Sequence, residues 1–336
     1  MRTRSLVCLA AVLILFAVGF EPASAQTLQL KAVATSRPQV QFKLWERLAA
    51  EVDKRTQGRV KVDVLSLPEL GLTGFELVRV LRAGLVDIAD VLPTYVSGEV
   101  PVPEGADLPG LFKDFATSEK AHLAWHEVVK KYEDRLGGVF LGSYGWAAQV
   151  IFSRKPIRAT KDLEGLKTRV FGASHSDFLR ALGAEPVSMA VAEVYGALER
   201  GAVDAAITGT IAGYNLKWWE VTKYMVDVQI GPAMGTVIVS KRTWDRLPPD
   251  LRKVLEAVGQ EFTRWGWDMG RQTTQEGIDG NKEKGMEWIP LTPATAAAIR
   301  EVTLKHGVPA WVQRAGPDGK AAFNQHLAPH AGFTIP

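Results

Sequence analysis

A ten-residue pattern that occurs twice constrains the fold of this chain more than any other feature. Residues 80–89 read VLRAGLVDIA and residues 197–206 read ALERGAVDAA, with leucine, glycine, valine, aspartate and the final alanine at matching positions. Each copy is typical of a helix that ends at a left-handed glycine and leads directly into a buried strand. The repeat therefore predicts two lobes built on one plan, with a chance similarity of two helix–glycine–strand junctions as the alternative.

Apolar strand patterns alternate with amphipathic helix patterns along the chain. The clearest ones are strands at 28–34, 59–65 and 86–92 and helices at 38–56 and 115–135. This alternation predicts an α/β fold with mostly parallel sheets. A β-branched stretch at 236–240 is predicted to run back to the first lobe, and a helix at 248–284 is long enough to span both lobes.

The first 25 residues have the three parts of a secretory signal peptide. Arg2 and Arg4 precede an apolar stretch at 6–20, and Ala23-Ser24-Ala25 supplies the small residues of a cleavage site. A membrane anchor is the alternative, but 15 apolar residues rising about 1.5 Å each are too short for a hydrocarbon core of about 30 Å. We therefore expect cleavage after Ala25 and a periplasmic protein.

Composition excludes several classes of function. The 40 basic and 37 acidic residues give a net charge of +3, and no run of like charges suggests nucleic-acid binding. The single cysteine, Cys8, lies in the signal peptide, so the mature chain would have no disulfide, no cysteine-ligated zinc and no thiol nucleophile. The length of 336 residues favours two domains over one.

Motifs of common enzymes are missing from the sequence, including the phosphate-binding loop, the dinucleotide fingerprint, the nucleophile elbow and the zinc-protease motif. His122 and His126 have metal-ligand spacing on one helix face, with Glu127 beside them. Their neighbours Lys120 and Lys130 favour a solvated helix over a metal site.

The segment 174–177, SHSD, has the residue types of a catalytic triad. Residues adjacent in sequence cannot adopt triad geometry, so we interpret the segment as a helix cap.

The segment 162–170 gives the main indication of function. Its sequence, DLEGLKTRV, predicts a short helix, a tight turn and a strand with Lys167 and Arg169 on one face. Arg169 is then a charged residue in a sheet covered by helices, and a carboxylate is the best match to the planar donors of a buried guanidinium. That carboxylate can belong to a ligand or to an internal acid, and a solvent-facing sheet edge is the remaining alternative.

Several tryptophans lie in loops rather than on helix stripes. Trp146 is flanked by glycine in a loop, and Trp218 and Trp219 follow another loop. Loops beside sheet ends bind ligands in open α/β folds. Each of these side chains either lines a pocket or packs structurally.

Taken together, several segments resemble the periplasmic solute-binding receptors of tripartite ATP-independent periplasmic (TRAP) transporters, solute-binding family 7. Besides the signal peptide, the segments are PELG at 68–71, ADLPGLF at 106–112, DLEGLKTRV at 162–170, EVYGALERGAVDAA at 193–206 and EVTKY at 220–224. The resemblance covers about residues 27–285. It implies a two-lobed, type II-like periplasmic-binding-protein fold, with two doubly wound sheets joined by crossing strands and a long lobe-spanning helix.

The resemblance also implies lobe boundaries. The first lobe would comprise 26–147 and 235–270. The second would comprise 148–234 and 271–336, including the C-terminal helices.

The function implied by the resemblance is a receptor that closes around a small organic acid and delivers it to the TRAP membrane subunits. Arg169 matches the family's arginine that pairs with the ligand carboxylate, and Thr208 stands where many members have a ligand-binding asparagine. Gln149 lies beside Ala148, near the place of a second arginine in many members, so we expect a monocarboxylate. Ile207 stands where metal-assisted members have a carboxylate, and no metal or other cofactor is expected.

The remaining candidate residues surround the ligand. Trp146, Phe171 and Trp218 favour an apolar or aromatic acid. Three loop residues of the first lobe are expected to close over it: Arg37, Thr94 and Tyr95. We expect a monomer with no nucleic-acid partner and no covalent chemistry, and we keep two alternatives, a sensory receptor for a membrane kinase and a periplasmic enzyme on the same scaffold.

Overall fold

The computed structural model describes residues 27–336. The proposed signal peptide at 1–25, with Cys8, lies outside the described residues. Between residues 27 and 336, no helix is both long enough and apolar enough to cross a membrane.

Eleven strands in this span form two sheets and are numbered in chain order. They are β1 (Leu28–Ala34), β2 (Val60–Ser66), β3 (Ile88–Val91), β4 (Gly138–Gly145), β5 (Gln149–Ser153), β6 (Lys167–Val170), β7 (Glu185–Ser188), β8 (Ala205–Gly209), β9 (Tyr224–Gly231), β10 (Met234–Ser240) and β11 (Glu287–Ile289). The first sheet has the order β2-β1-β3-β10-β4, and the second has the order β11-β9-β5-β8-β6-β7. The predicted two-sheet α/β fold is confirmed.

Helices cover these sheets. Over the described residues they are α1 (Phe42–Arg55), α2 (Leu77–Arg82), α3 (Phe115–Lys131), α4 (Ala173–Ala181), α5 (Val191–Glu199), α6 (Thr210–Asn215), α7 (Lys241–Arg246), α8 (Pro249–Glu283), α9 (Pro293–Val302), α10 (Val308–Ala322) and α11 (Ala328–Ala331). Side-chain caps fix several of the starts. The carboxylate of Asp114 accepts the Thr117 N–H at the start of α3, and the Ser240 hydroxyl accepts the Thr243 N–H at the start of α7.

Both sheets repeat one set of strand directions. In the first, β1 is parallel to β2 and β3, whereas β10 is antiparallel to β3 and β4. In the second, β6 is parallel to β7 and β8, whereas β5 is antiparallel to β8 and β9. The sheets are therefore mixed, where mostly parallel sheets were expected, because one strand of each sheet enters from the other lobe.

The ten-residue repeat occupies equivalent places in the two sheets. Its two glycines have φ values of 67° and 71°, which is the left-handed conformation that the pattern predicts. The carboxylate of Asp87 accepts the backbone N–H of Lys31 at 2.8 Å, and that of Asp204 accepts the backbone N–H of Lys167 at 3.1 Å. The repeat therefore marks the same structural step in both lobes, and chance similarity is not needed to explain it.

The chain crosses between the lobes at two short segments. Residues 146–148 connect β4 of the first sheet to β5 of the second, and residues 232–233 connect β9 back to β10. The predicted return of 236–240 to the first lobe is confirmed, because these residues lie in β10.

Helix α8, with 35 residues, joins the lobes a third time, as predicted. It packs against α1 and β4 of the first lobe and against α6 of the second. Two glycines allow this approach: a Cβ on Gly259 would lie 2.4 Å from the Leu141 carbonyl oxygen, and one on Gly277 would lie 2.3 Å from the Ile211 backbone nitrogen. Side chains at these positions would separate the helix from one lobe.

The C-terminal helices pack against both lobes. Ile299 of α9 belongs to the core of the second sheet, whereas Trp311 and Phe323 belong to a core of the first lobe that includes Trp125. The sequence interpretation assigned all of 271–336 to the second lobe. The C-terminal segment is instead shared between the two lobes, because the aromatic side chains of its last part pack against α3 of the first lobe.

Helix α3 differs from the solvated helix expected around its histidines. His122 is fully buried with its Nε2 2.9 Å from an Asp107 carboxylate oxygen, and the Nε2 of His126 lies 2.6 Å from the Ser143 hydroxyl. The expectation is wrong for this face because α3 turns the histidines inward and its lysines toward solvent. In the span that the structure describes, no cluster of three histidine, cysteine or acidic side chains is arranged to hold a metal ion.

Candidate functional site

A cavity of about 50 Å³ lies between the lobes, where the carboxyl ends of the parallel strands meet. The ends of β3 and β8 contribute Asp90 and Thr208, and the crossing segments contribute Trp146 and Ala233. Ligands bind at the carboxyl ends of strands in open α/β sheets, because loops and side chains there are free of the regular helix–sheet packing. A cavity of this volume suits a small molecule.

Arg169 on β6 lines this cavity and is 1% exposed. Its Nε donates to the Met189 carbonyl at 3.0 Å, its Nη1 donates to the Ile207 carbonyl at 2.8 Å, and its Nη2 lies 3.4 Å from the Tyr95 hydroxyl. A guanidinium has five N–H donors, so two of them remain for a ligand. The two carbonyls hold the group rigidly in place without neutralising it.

Within residues 27–336, no carboxylate is hydrogen-bonded to Arg169. Its hydrogen-bond partners in this span are two carbonyls and a phenol. Burial lowers the pKa of the guanidinium, and the Tyr95 hydroxyl and the charge of Glu193, which is not hydrogen-bonded to it, act in the opposite direction. Because leaving a charge buried and unpaired costs several kcal/mol, an anion that enters the cavity would gain a strong interaction.

Two aromatic rings from opposite lobes lie next to the guanidinium. The Phe171 ring centroid is 4.8 Å from the Arg169 Cζ, and the Tyr95 and Phe171 rings lie 5.3 Å apart. Aromatic faces stabilise a cation and exclude water from its surroundings. Both residues were singled out from the sequence, and both line the cavity.

Three further predicted residues line the cavity: Thr208, Gln149 and Trp146. The Gln149 amide nitrogen donates to the Gly231 carbonyl at 3.3 Å, and its Oε1 is buried without a partner among the described residues. Thr208 is 7% exposed and Trp146 is 9% exposed, so both are partly open to the cavity. These contacts offer hydrogen bonds and an apolar wall beside the cation.

Arg37, Thr94 and Trp218 do not line the cavity. Arg37 is half exposed and pairs with Glu69 at 2.6 Å, and Thr94 is buried and donates to Asp107 at 3.1 Å. Trp218 is fully buried against Phe152, with ring centroids 5.6 Å apart. Each side chain has a partner inside the protein, which turns it away from the place expected for a ligand contact.

Asp90 is the functional candidate that sequence reasoning missed. It lines the cavity and is 2% exposed, and one of its carboxylate oxygens accepts the Tyr144 hydroxyl at 2.6 Å. Burial raises the pKa of Asp90 to about 7, although the hydrogen bond from Tyr144 lowers it. The sequence does point to this residue, because Asp90 is an acid within the apolar strand 86–92, just as Arg169 is a base within a strand expected to be covered by helices.

A buried carboxylate outside the cavity lining joins the two lobes. Glu104 is fully buried and accepts the backbone N–H of Ser174 at 3.0 Å and its hydroxyl at 2.8 Å. Burial raises the pKa of Glu104 to about 7 against these hydrogen bonds. The cap expected at 174–177 is therefore wrong: α4 begins at Ala173 after Gly172, and Ser174 instead binds across to the other lobe.

A family model matches residues 32–306 of this chain. The family is described as "bacterial extracellular solute-binding protein, family 7" (DctP). The chain belongs to this family. Among curated relatives, the C4-dicarboxylate-binding periplasmic protein DctP of Rhodobacter capsulatus is 30% identical over 74% of this chain and 76% of its own length. A solute-binding protein of Albidiferax ferrireducens is 27% identical over 78% of this chain and 79% of its own length.

A solved receptor structure of similar sequence has the same fold. The crystal structure of DctP7, an extracytoplasmic solute receptor of Bordetella pertussis that binds pyroglutamic acid, has a TM-score of 0.84 and 28% identity. The similarity covers 92% of this chain and 100% of that receptor. The two-lobed periplasmic-binding fold implied by the sequence resemblance is confirmed.

Proposed function

We propose that this family 7 protein is a periplasmic receptor that binds a small monocarboxylic acid between its lobes and delivers it to the membrane subunits of a TRAP transporter. The proposal depends on the Arg169 guanidinium, which is buried at the cavity without a carboxylate partner over residues 27–336. A ligand carboxylate matches the two N–H donors that remain on it.

One carboxylate, rather than two, suits the charges around the cavity. Among the described residues that line it, Arg169 is the one cation and Asp90 is the one acid. A second ligand carboxylate would have no cation to meet and would be repelled by Asp90 when that group is ionised. The pyroglutamic acid of the Bordetella receptor is itself a monocarboxylic acid.

The binding mechanism uses the charge of Arg169 and the closure of the lobes. The ligand carboxylate pairs with Arg169, Thr208 and Gln149 supply hydrogen bonds, and Phe171, Trp146 and Tyr95 exclude water. Closure strengthens the ion pair because the pair leaves bulk water for a medium of lower effective dielectric constant. No step makes or breaks a covalent bond.

The test measures binding of pyroglutamate, succinate and galacturonate by thermal shift and calorimetry. Pyroglutamate or another monocarboxylate should raise the melting temperature, and succinate should not. Arg169→Met should weaken binding by about 2–5 kcal/mol, because truncation strands the ligand charge. That loss corresponds to about 30-fold to several thousand-fold in Kd.

Arg300→Met is the matched control. Arg300 is also a partly buried arginine held by two carbonyls, those of Leu111 and Ala331, but it is not among the residues that line the cavity. The control should lower stability and leave affinity unchanged. Stabilisation by sugars or amines alone, or equal affinities of wild type and Arg169→Met, would contradict the proposal.

Two measurements separate this function from its alternatives. An enzyme would convert the acid, so mass spectrometry of the recovered ligand should show it unchanged after incubation. A sensory receptor would not support uptake, so membrane vesicles that contain the TRAP subunits should accumulate the acid only when the receptor is present.

A further inference from the structure

Asp90 places a second ionisable group in the cavity, and carboxylate binding by Arg169 makes no use of it. One of its oxygens accepts the Tyr144 hydroxyl at 2.6 Å, so the orientation of the carboxyl group is fixed. The other oxygen, Oδ1, is buried and has no hydrogen-bond partner over residues 27–336. Buried polar atoms without partners are uncommon, because a buried acceptor that lacks a donor loses its hydrogen bonds to water without replacement. The cavity is where a partner for this oxygen can bind.

The fold itself does not require an acid at this position. In the ten-residue repeat, Val80 matches Ala197, so Asp90, one residue beyond the first copy, corresponds to Ile207. Ile207 is fully buried in an apolar core of the second lobe. An apolar side chain is therefore compatible with this position of the repeated unit. Folding does not require the acid of Asp90, which is specific to the cavity side of the first lobe.

A second acceptor lies in the same wall. The Gln149 Oε1 is also buried without a partner in the described part of the chain, and Gln149 lines the cavity. The site thus combines donors to spare, on the Arg169 guanidinium and on the unpartnered Nε1 of Trp146, with two acceptors that lack donors within residues 27–336. A carboxylic acid that has no N–H group would pair with the guanidinium and leave both acceptors without a hydrogen-bond donor.

We propose that the ligand is a small nitrogen-containing carboxylic acid whose N–H group donates to Asp90 while its carboxylate pairs with Arg169. This inference rests on the proposed function and adds the chemical class of the ligand to it. A neutral amide N–H, as in a lactam, and an ammonium, as in an amino acid, share the required donor. The purely apolar or aromatic acid favoured by the tryptophan and phenylalanine residues is replaced by an acid with a polar edge.

The experiment compares matched pairs of acids by calorimetry on the purified protein. Pyroglutamate is paired with its lactone analogue, in which the ring N–H is replaced by oxygen. Proline is paired with cyclopentanecarboxylate, in which the ring ammonium is replaced by methylene. The wild type should bind the N–H member of at least one pair 10-fold or more tightly. The pair that responds identifies the donor as an amide or an ammonium.

Asp90→Asn is the decisive variant. Because the Tyr144 hydroxyl needs an acceptor, the new amide should turn its oxygen to Tyr144 and its NH₂ group to the ligand. The preference for the N–H member should then fall to about twofold or less. Glu104→Gln is the matched control, since Glu104 is a buried carboxyl outside the cavity lining. It should keep the preference even if both affinities change.

The outcomes separate the two proposals. Equal binding of both members of each pair, with loss of binding in Arg169→Met, would overturn the role of Asp90 and leave the acid receptor intact. A preference that survives in Asp90→Asn would do the same. Binding of no acid by the wild type would overturn both proposals. If Asp90→Asn does not fold, Tyr144→Phe replaces it, and the preference should fall severalfold because the carboxyl loses its fixed orientation.

Discussion

The two lobes share one scaffold but carry opposite charges at the cavity. Val33 on β1 pairs with Ala89 on β3, and Arg169 on β6 pairs with Ala206 on β8. Since the two alanines occupy the last position of the repeat, Val33 and Arg169 are equivalent residues. Val33 is fully buried in an apolar core, whereas Arg169 faces the cavity with a charge.

The reverse difference occurs one position beyond the repeat. There the first lobe has Asp90 and the second has Ile207. Each lobe thus contributes one acid or base of opposite charge, Asp90 or Arg169, at positions that are not equivalent, and the equivalent place in the other lobe is apolar. The comparison shows that the repeated step builds the sheets and that single substitutions at its cavity end build the site.

The largest effect is expected when the positive charge of Arg169 is introduced at the equivalent position of the first lobe, Val33. Val33→Arg should lower the free energy of unfolding by about 3–5 kcal/mol, because it buries a charge without a partner. Chemical denaturation checks this against Val33→Met, a larger apolar side chain that should cost about 1–3 kcal/mol through overpacking. Equal stabilities of the two variants would show that the first lobe can also hold a cation.

The ionisation of Asp90 makes stability depend on pH. Its pKa is raised to about 7 in the folded protein, above the ordinary value of 3.8. The folded state therefore binds the proton more tightly, and this contribution to stability is present below about pH 4 and is lost as the pH rises through about 7. Asp90→Asn should stabilise the protein by about 1–4 kcal/mol more at pH 8 than at pH 4.

Thermal melts of the wild type and Asp90→Asn across this pH range measure the difference. Glu104 has a similarly raised pKa and is present in both proteins, so its contribution cancels in the comparison. A constant difference between the two proteins would show that Asp90 is not desolvated in the folded state.

Helix α8 connects the two lobes, and Gly277 lies where the helix packs against the backbone of the second lobe. Gly277→Ala should destabilise by about 1–3 kcal/mol, because the new Cβ would lie 2.3 Å from the Ile211 backbone nitrogen. Gly307→Ala is the control: its Cβ would meet nothing within 4 Å, and it should be neutral or slightly stabilising. Calorimetric melting of both variants provides the test, and equal melting temperatures would argue against a tight α8–α6 contact.

The smallest effect is expected at Arg37, a residue that the sequence placed at the ligand. Its partner is Glu69, and both side chains are close to half exposed, so solvent screens the pair and Arg37→Gln should leave the free energy of unfolding nearly unchanged. Affinity for the acid should stay within about twofold of wild type. A large loss of affinity would mean that Arg37 leaves Glu69 when a ligand binds.

Local patterns were sufficient for most of the elements. Strand β1 lies at the residues predicted for it, and α8 begins and ends within a residue of its prediction, because periodicity reports which faces are buried. The same reasoning identified Arg169 as a charge in a covered sheet. It also applies to Asp90, which is an acid in a buried strand.

The partners of the candidate residues were decided by the tertiary structure. Arg37 pairs with Glu69, which is 32 residues away in the sequence. Ser174 donates to Glu104, which is 70 residues away. Trp218 packs into a core rather than a cavity wall. No local pattern specifies such pairings, since they depend on how the two sheets are placed by the crossing segments and α8.

By itself, then, the sequence determined the repeated scaffold, its two lobes and the buried cation of the second one, because hydrophobic periodicity and glycine positions act over a few residues. Only the tertiary structure decided that no carboxylate of the described residues is hydrogen-bonded to Arg169 and that Asp90 faces the same cavity. Both facts depend on contacts between segments that are distant in the chain, and the charge of a binding site is the sum of those contacts.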